Sequence, residues 1–127
     1  MDLEEKDLAY IAGFFDGEGC IYSNGGCFKI GIYNTVRAPL DFVERLFGGN
    51  IYEQVPKNIR HSTIYRWIIS GESAAGVLQY LMPYLIIKKK RAILGIKIAN
   101  TSNKQERFSL ALELKRMNCR GRTAIAW

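Results

Sequence analysis

Tyr10-Ile11-Ala12-Gly13-Phe14-Phe15-Asp16-Gly17-Glu18-Gly19, YIAGFFDGEG in one-letter form, is the stretch on which the fold turns. Leu8, Ile11 and Phe15 recur at helical spacing, so the segment reads as an amphipathic helix. It opens near Leu3 behind an Asp2/Glu5 capping box and runs to Phe15 or Asp16. Ala9, Ala12, Gly13 and Asp16 are read as the other side. A glycine inside a helix costs about 1 kcal/mol relative to alanine, and a stripe of small residues offsets that cost when another backbone packs closely on it. If that backbone is the same helix of a second copy, a two-fold axis brings two C-terminal ends together, each with Asp16 and Glu18. Carboxylates there oppose the helix dipole by about 0.3–1 kcal/mol each. A divalent cation resolves the conflict, and an all-oxygen ligand set suits Mg2+. Acids in an ordinary turn, with glycines supplying the turn dihedrals, account for the same residues, and on the chemistry alone the two readings stand level.

Outward from this stretch the chain alternates helices and hairpins. Cys20–Ser23 and Cys27–Asn34 flank the turn Asn24-Gly25-Gly26, with Phe28, Ile30 and Ile32 alternating against Lys29, Gly31 and Tyr33: a hairpin with one wet face. Leu40, Val43, Leu46 and Phe47 predict a helix over Ala38–Phe47, closed by Gly48-Gly49. Ile51–Val55 and Thr63–Ser70 predict a second hairpin around a basic loop, Lys57–His61. Helices over Ser73–Leu81, from Lys88 to about Ala99, and over Phe108–Asn118 follow, the first ended by Pro83 and the second by Thr101-Ser102-Asn103. The order αββαββα predicts an α+β fold: a four-stranded antiparallel sheet with helices on one face.

The bulk numbers agree with one domain over 1–127, its core about residues 8–100 and a C-terminal helix and tail about 104–127. Hydrophobic residues are 48% and charged residues 24% of the chain, a composition of an ordered protein. Val77–Ile87, the most apolar run, is too short for a membrane span, so no membrane partner is expected. Cys20, Cys27 and Cys119 lack zinc-site spacing and read as free thiols of an intracellular, reducing compartment, whether bacterial, phage or organellar. The net charge is +6 and unevenly laid out. Residues 1–18 hold six of the twelve acids and only Lys6, leaving 17 basic residues minus 6 acids, or +11, from residue 19 onward. A polyanionic partner is the natural complement.

Ile11-Ala12-Gly13-Phe14-Phe15-Asp16-Gly17-Glu18-Gly19 resembles the LAGLIDADG motif of homing endonucleases, with two aromatics for the aliphatic pair and Glu18 where the second Asp usually stands. The resemblance extends to NTVRAPLDFVERL after the second strand and to LMPYLIIKKKRAIL, and it covers most of residues 8–98. It implies a saddle-shaped sheet lying in the major groove of double-stranded DNA, the motif helices packed together, and a homodimer, since this chain carries one copy of the motif. The dimer interface then falls on Ala9, Ala12, Gly13 and Asp16. It further implies that Glu18 and the Gly17 carbonyl hold Mg2+ or Mn2+, that Lys88 is the active-site lysine, that Asn34 orders solvent about the metals, and that Asp16 caps or braces the helix end.

Strand alternation groups the residues for the wet face: Cys20, Tyr22 and Asn24; Lys29, Gly31 and Tyr33; Asn50, Tyr52 and Gln54; Arg66 and Ile68. Asn and Gln suit adenine edges, and Arg or Lys suits guanine. Tyr65 and Trp67 are assigned to the core. Lys57, Arg60, Lys89, Arg91, Arg120 and Arg122 are phosphate contacts in this reading. The implied activity is metal-dependent, site-specific cleavage of both DNA strands in intron or intein mobility. Three rivals use the same residues: a DNA-binding regulator or RNA maturase of this fold without cleavage, a small RNA-binding domain that stacks bases on its tyrosines, and a basic interaction module, which leaves the glycine-bearing stripe without a purpose.

Overall fold

The computed structural model describes residues 3–24, 27–58 and 60–125, with the side chains of 24 and 119–125 outside the described set. Asp2, the turn glycines Gly25 and Gly26, and the side chains of Asn24, Cys119, Arg120 and Arg122 therefore lie outside the described residues. The elements run α1 (Glu5–Glu18), β1 (Gly19–Asn24), β2 (Cys27–Asn34), α2 (Ala38–Phe47), β3 (Asn50–Gln54), β4 (Ile64–Ser70), α3 (Gly71–Leu81), a single 3-10 turn (Met82–Tyr84), α4 (Lys89–Asn100) and α5 (Lys104–Ile125). All strand pairs are antiparallel, in the order β1-β2-β4-β3. This is the four-stranded α+β arrangement expected from the sequence.

Register follows from alternation. Ile21, Phe28, Ile30, Ile32, Trp67 and Ile69 are buried on one face of the sheet, where α1, α3 and α4 cover them with Ile11, Phe15, Leu78, Leu81 and Ile98. A slip of one residue would send this whole set to the opposite face, so burial fixes the pairing. Gly48 and Gly49, at φ of +79° and +89°, turn the chain out of α2. Gly48 offers its carbonyl to the Trp67 indole N–H at 2.8 Å. A Cβ on Gly49 would stand 2.7 Å from that same nitrogen, so the pair of glycines serves both the turn and the seating of Trp67.

Among the departures from expectation are two helix starts. α1 begins at Glu5 with Glu4 as its N-cap and no side-chain cap there, while Asp2 of the expected capping box lies outside the described residues. α5 begins at Lys104, because the Asn103 side-chain oxygen accepts the Glu106 N–H at 3.0 Å and its carbonyl accepts the Arg107 N–H at 2.9 Å. Its first turn is polar, and apolar periodicity alone starts four residues late. The Asn118 amide then donates to the Ile21 carbonyl at 2.9 Å, capping a main-chain group of the edge strand β1.

The outward stripe of α1 also differs in membership. At about 100° per residue Ala12 falls within about 40° of Leu8 and so belongs to the apolar arc. It is 0% exposed, packed in the core of its own chain, and presents nothing to a partner. Asp16 also turns inward. The exposed side comprises Lys6, Ala9, Tyr10, Gly13 and Gly17.

Candidate functional site

α1 ends where β1 begins, and Gly19 makes the direct passage possible because a side chain there would collide with the Phe15 ring. The junction separates by orientation two acids that stand two residues apart in sequence. Glu18 stands exposed at the end of the helix, whereas Asp16 is 8% exposed. The Asp16 carboxylate accepts three main-chain N–H groups from the segment before α4: Ile86 at 2.7 Å, Ile87 at 3.2 Å and Lys88 at 3.0 Å. α4 has no side-chain cap from its own neighbourhood. An anion 70 residues upstream takes that place, at the end of the helix where negative charge is favoured. The acid that is unfavourable for its own helix is thus favourable for another.

Lys88 completes the loop by donating its Nζ to the Asp16 carbonyl at 2.6 Å. It is 8% exposed, an unusual position for an ammonium group. Burial pushes its pKa below the ordinary lysine range and the Arg91 charge adds to that, while Asp16, Cys20 and Glu18 pull upward without overcoming it. For Asp16, burial acts to raise the carboxyl, but the N–H groups of Ile86, Lys88 and Ile87 and then the Lys88 charge outweigh it and hold the group below 3.8. Burial also pushes the nearby Cys20 thiol up, against the Gly31 carbonyl and Lys88.

Gly17 is exposed on the same helix end. Asn34 closes β2 and accepts the Val36 N–H on its Oδ1 at 2.8 Å, so its side chain shapes the turn into α2 and keeps its amide N–H groups for other partners. Among the described residues no three His, Cys, Asp or Glu side chains group together as a metal site. With Asp16 committed to N–H donors, one copy of the chain supplies one free carboxylate, Glu18, and the Gly17 carbonyl. That oxygen set fits Mg2+ or Mn2+ as part of a shell that other oxygens complete.

The sheet face turned away from the helices carries Cys20, Tyr22, Lys29, Gly31, Tyr33, Asn50, Tyr52, Gln54, Arg66 and Ile68, the parity read from the sequence. Asn24 continues β1, its side chain outside the described residues. Gly31 is a correction to the list of contacts, since it is buried under its neighbours and a Cβ there would meet the Trp67 carbonyl at 3.1 Å. Its value is in letting Tyr33 and Ile68 close over the backbone. Lys57 and Arg60 are exposed in the β3–β4 loop, and Lys89 is exposed at the first turn of α4. Tyr65 and Trp67 lie on the core side as expected, Trp67 fully buried and Tyr65 half-buried.

Two features escaped the sequence reading. The Asp16 clamp joins residues about seventy positions apart, and the one hint of it is an acid at the wrong end of a helix. Ile86 and Ile87, 86% and 67% exposed, project beside that clamp. Gly13 and Gly17 face open space on the outward side of α1, where an added Cβ meets no atom within 4 Å. The close approach that Gly13 permits is therefore not used within the described chain.

A family model described as a LAGLIDADG-like domain matches residues 5–82. No curated protein matches the chain by sequence. Among solved structures, an archaeal intron-encoded homing endonuclease, I-Vdi141I, complexed with DNA, superposes with a TM-score of 0.73 at 19% identity, over 90% of this chain and 85% of that one. The homing endonuclease I-CvuI in complex with its target gives 0.64 at 22% identity over 87% and 78% of the two chains. A mutant of I-SmaMI gives 0.64 at 18% identity over 90% of this chain and 43% of its own longer one. At these identities the likeness is one of fold.

Proposed function

Since the chain belongs to the LAGLIDADG homing endonuclease family, we propose that it is a site-specific endonuclease that hydrolyses both strands of double-stranded DNA as a homodimer with divalent cations. The observation that carries this reading is the Asp16 clamp, which ties a buried lysine to the same helix end that leaves Glu18 free. A purely structural Asp16 needs neither the lysine nor the exposed acid.

In this proposal the Glu18 carboxylate and the Gly17 carbonyl of each copy hold Mg2+ or Mn2+. Bound there, such ions lower the pKa of water and stabilise charge on a phosphate in flight. The chain's own residues do the rest. Lys88, fixed by the Asp16 carbonyl and the three N–H bonds, offers positive charge to the scissile phosphate from a partly desolvated position, where it counts for more than in water. Asn34 presents its free amide toward solvent at the neighbouring strand end. Lys57, Arg60 and Lys89 contact backbone phosphates, and Tyr22, Lys29, Tyr33, Asn50, Tyr52, Gln54 and Arg66 face the bases. The exposed Ala9, Gly13 and Gly17, flanked by Tyr10, Ile86 and Ile87, supply the surface on which two copies meet. His61 lies exposed in the β3–β4 loop and has no part in the chemistry.

The test is incubation with a random-sequence duplex library, with Mg2+ and with chelator, followed by sequencing of cut ends. Metal-dependent cleavage at a long, near-palindromic site is expected. Sequence-specific binding with no cleavage under any metal would overturn the enzyme reading in favour of a non-cutting regulator. Preference for single strands would point to RNA.

A further inference from the structure

Arg66 occupies the middle of the open sheet face on β4, an interior strand. It stands directly opposite Tyr33 on β2 and Tyr52 on β3. Its guanidinium carbon lies 5.9 Å from the centroid of the Tyr33 ring and 5.7 Å from that of Tyr52. Its Nε is buried and has no hydrogen-bond partner. The ion pairs among the described residues are Lys6–Glu4 and Arg37–Asp41, so Arg66 pairs with no described acid. Tyr22 on β1 pairs in register with Lys29: burial first, then the neighbouring Tyr33 and Cys20, push its hydroxyl up to about 12, and it stays a neutral hydrogen-bonding group.

We infer that Arg66 is a specificity-determining residue that reads one guanine in each half of the DNA site, its guanidinium held in advance by Tyr33 and Tyr52. This rests on the DNA-binding reading above. Arg66 is half-buried, and its buried Nε without a partner is costly, while cation–π contacts of this kind return only about 0.5–2 kcal/mol. Two rings against the guanidinium restrict its rotamers and leave the N–H groups of its fork in want of acceptors. The major-groove edge of guanine presents two, N7 and O6, at the spacing of that fork. Phosphates lie at the groove's rims, within reach of the loop residues Lys57 and Arg60 and away from an interior strand. Preorganisation lowers the entropy lost on binding, so discrimination at this position exceeds that of an unclamped lysine such as Lys29.

The experiment selects bound duplexes from a random-sequence pool in Ca2+ and then measures affinity for the selected site with every single base-pair change. Wild type, Arg66→Gln, Arg66→Lys and Tyr52→Leu are compared, with melting curves to show that each is folded. For wild type one symmetric pair of guanines is expected to cost about 10- to 100-fold when changed. Arg66→Gln and Arg66→Lys bring that cost within about two-fold, the lysine variant keeping the wild-type salt slope, and leave other positions as they were. Tyr52→Leu, with the fork intact and one ring gone, gives an intermediate loss. A uniform loss of affinity over all sequences with a shallower salt slope assigns Arg66 to phosphate and overturns the inference. Unchanged discrimination in Arg66→Lys overturns it too. Wild-type protein with no sequence preference at all overturns the underlying DNA reading, a result distinct from either.

Discussion

Replacing Asp16 with asparagine keeps the shape of the side chain, removes its charge and leaves one acceptor oxygen where two served three N–H donors. The cost can be worked from the surroundings. The one remaining oxygen can keep either the Lys88 N–H or the N–H groups of Ile86 and Ile87, and whichever of these part-buried or buried groups faces the NH2 is left without an acceptor. One buried orphan costs about 1–3 kcal/mol and the loss of an anion at the start of α4 about 0.3–1 kcal/mol. A total of about 2–4 kcal/mol at pH 7 is expected in urea unfolding. The folded carboxyl titrates below 3.8. A group whose pKa is depressed by folding gives its full stabilisation above the unfolded value and loses it as pH falls through the folded value. The gap between wild type and Asp16→Asn therefore stays level from neutral pH down to about pH 5 and closes below about pH 4. Single-turnover cleavage falls by about 100-fold as Lys88 loses its mooring, with duplex affinity within a few-fold. A variant within about 0.5 kcal/mol of wild type at pH 7, or a gap that persists unchanged at low pH, refutes the clamp as an electrostatic device. Full cleavage by a destabilised variant separates the clamp from catalysis.

Lys88→Met removes a buried charge whose pKa is already depressed by burial, and keeps the stem that packs beneath it. Its thermal midpoint is expected to equal or exceed that of wild type while cleavage drops by about 100-fold, and a marked loss of stability would mean that the lysine is structural. Gly13→Leu places a better helix former where nothing stands within 4 Å, so the isolated chain gains up to about 1 kcal/mol in dilute urea titrations. Light scattering at higher concentration is expected to show that variant as a monomer, and a dimer of unchanged affinity removes α1 from the interface.

The sheet could be read from sequence because its signal is local and periodic. Phe28, Ile30 and Ile32 each send a side chain the same way, and the register that buries them sets Tyr33 opposite Arg66 without further information. α2 carried its own start, stop and apolar stripe. α5 lost its first turn because Lys104, Gln105 and Glu106 give no apolar period, although Asn103 stood ready as a cap. Ala12 was misassigned by size: a small residue suits a tight interface and a tight core equally, and the angle decides. The candidate site was legible as residue types, through one acid, one lysine and one family motif. Its geometry was not, because Asp16 meets residues 86–88 only after six intervening helices and strands and the 3-10 turn have folded between them. Arg66 was visible as a polar position, but the two tyrosines that grip it come from two other strands.

The central claim is that Glu18 is the one free acid at the helix end and that cleavage runs through it. Strand scission of a library-selected duplex by wild type and by Glu18→Gln, at saturating protein and in Mg2+, tests this most directly. The account predicts two-strand cutting by wild type, none by Glu18→Gln, and equal occupancy of the duplex by both. Cutting retained in the variant would contradict it.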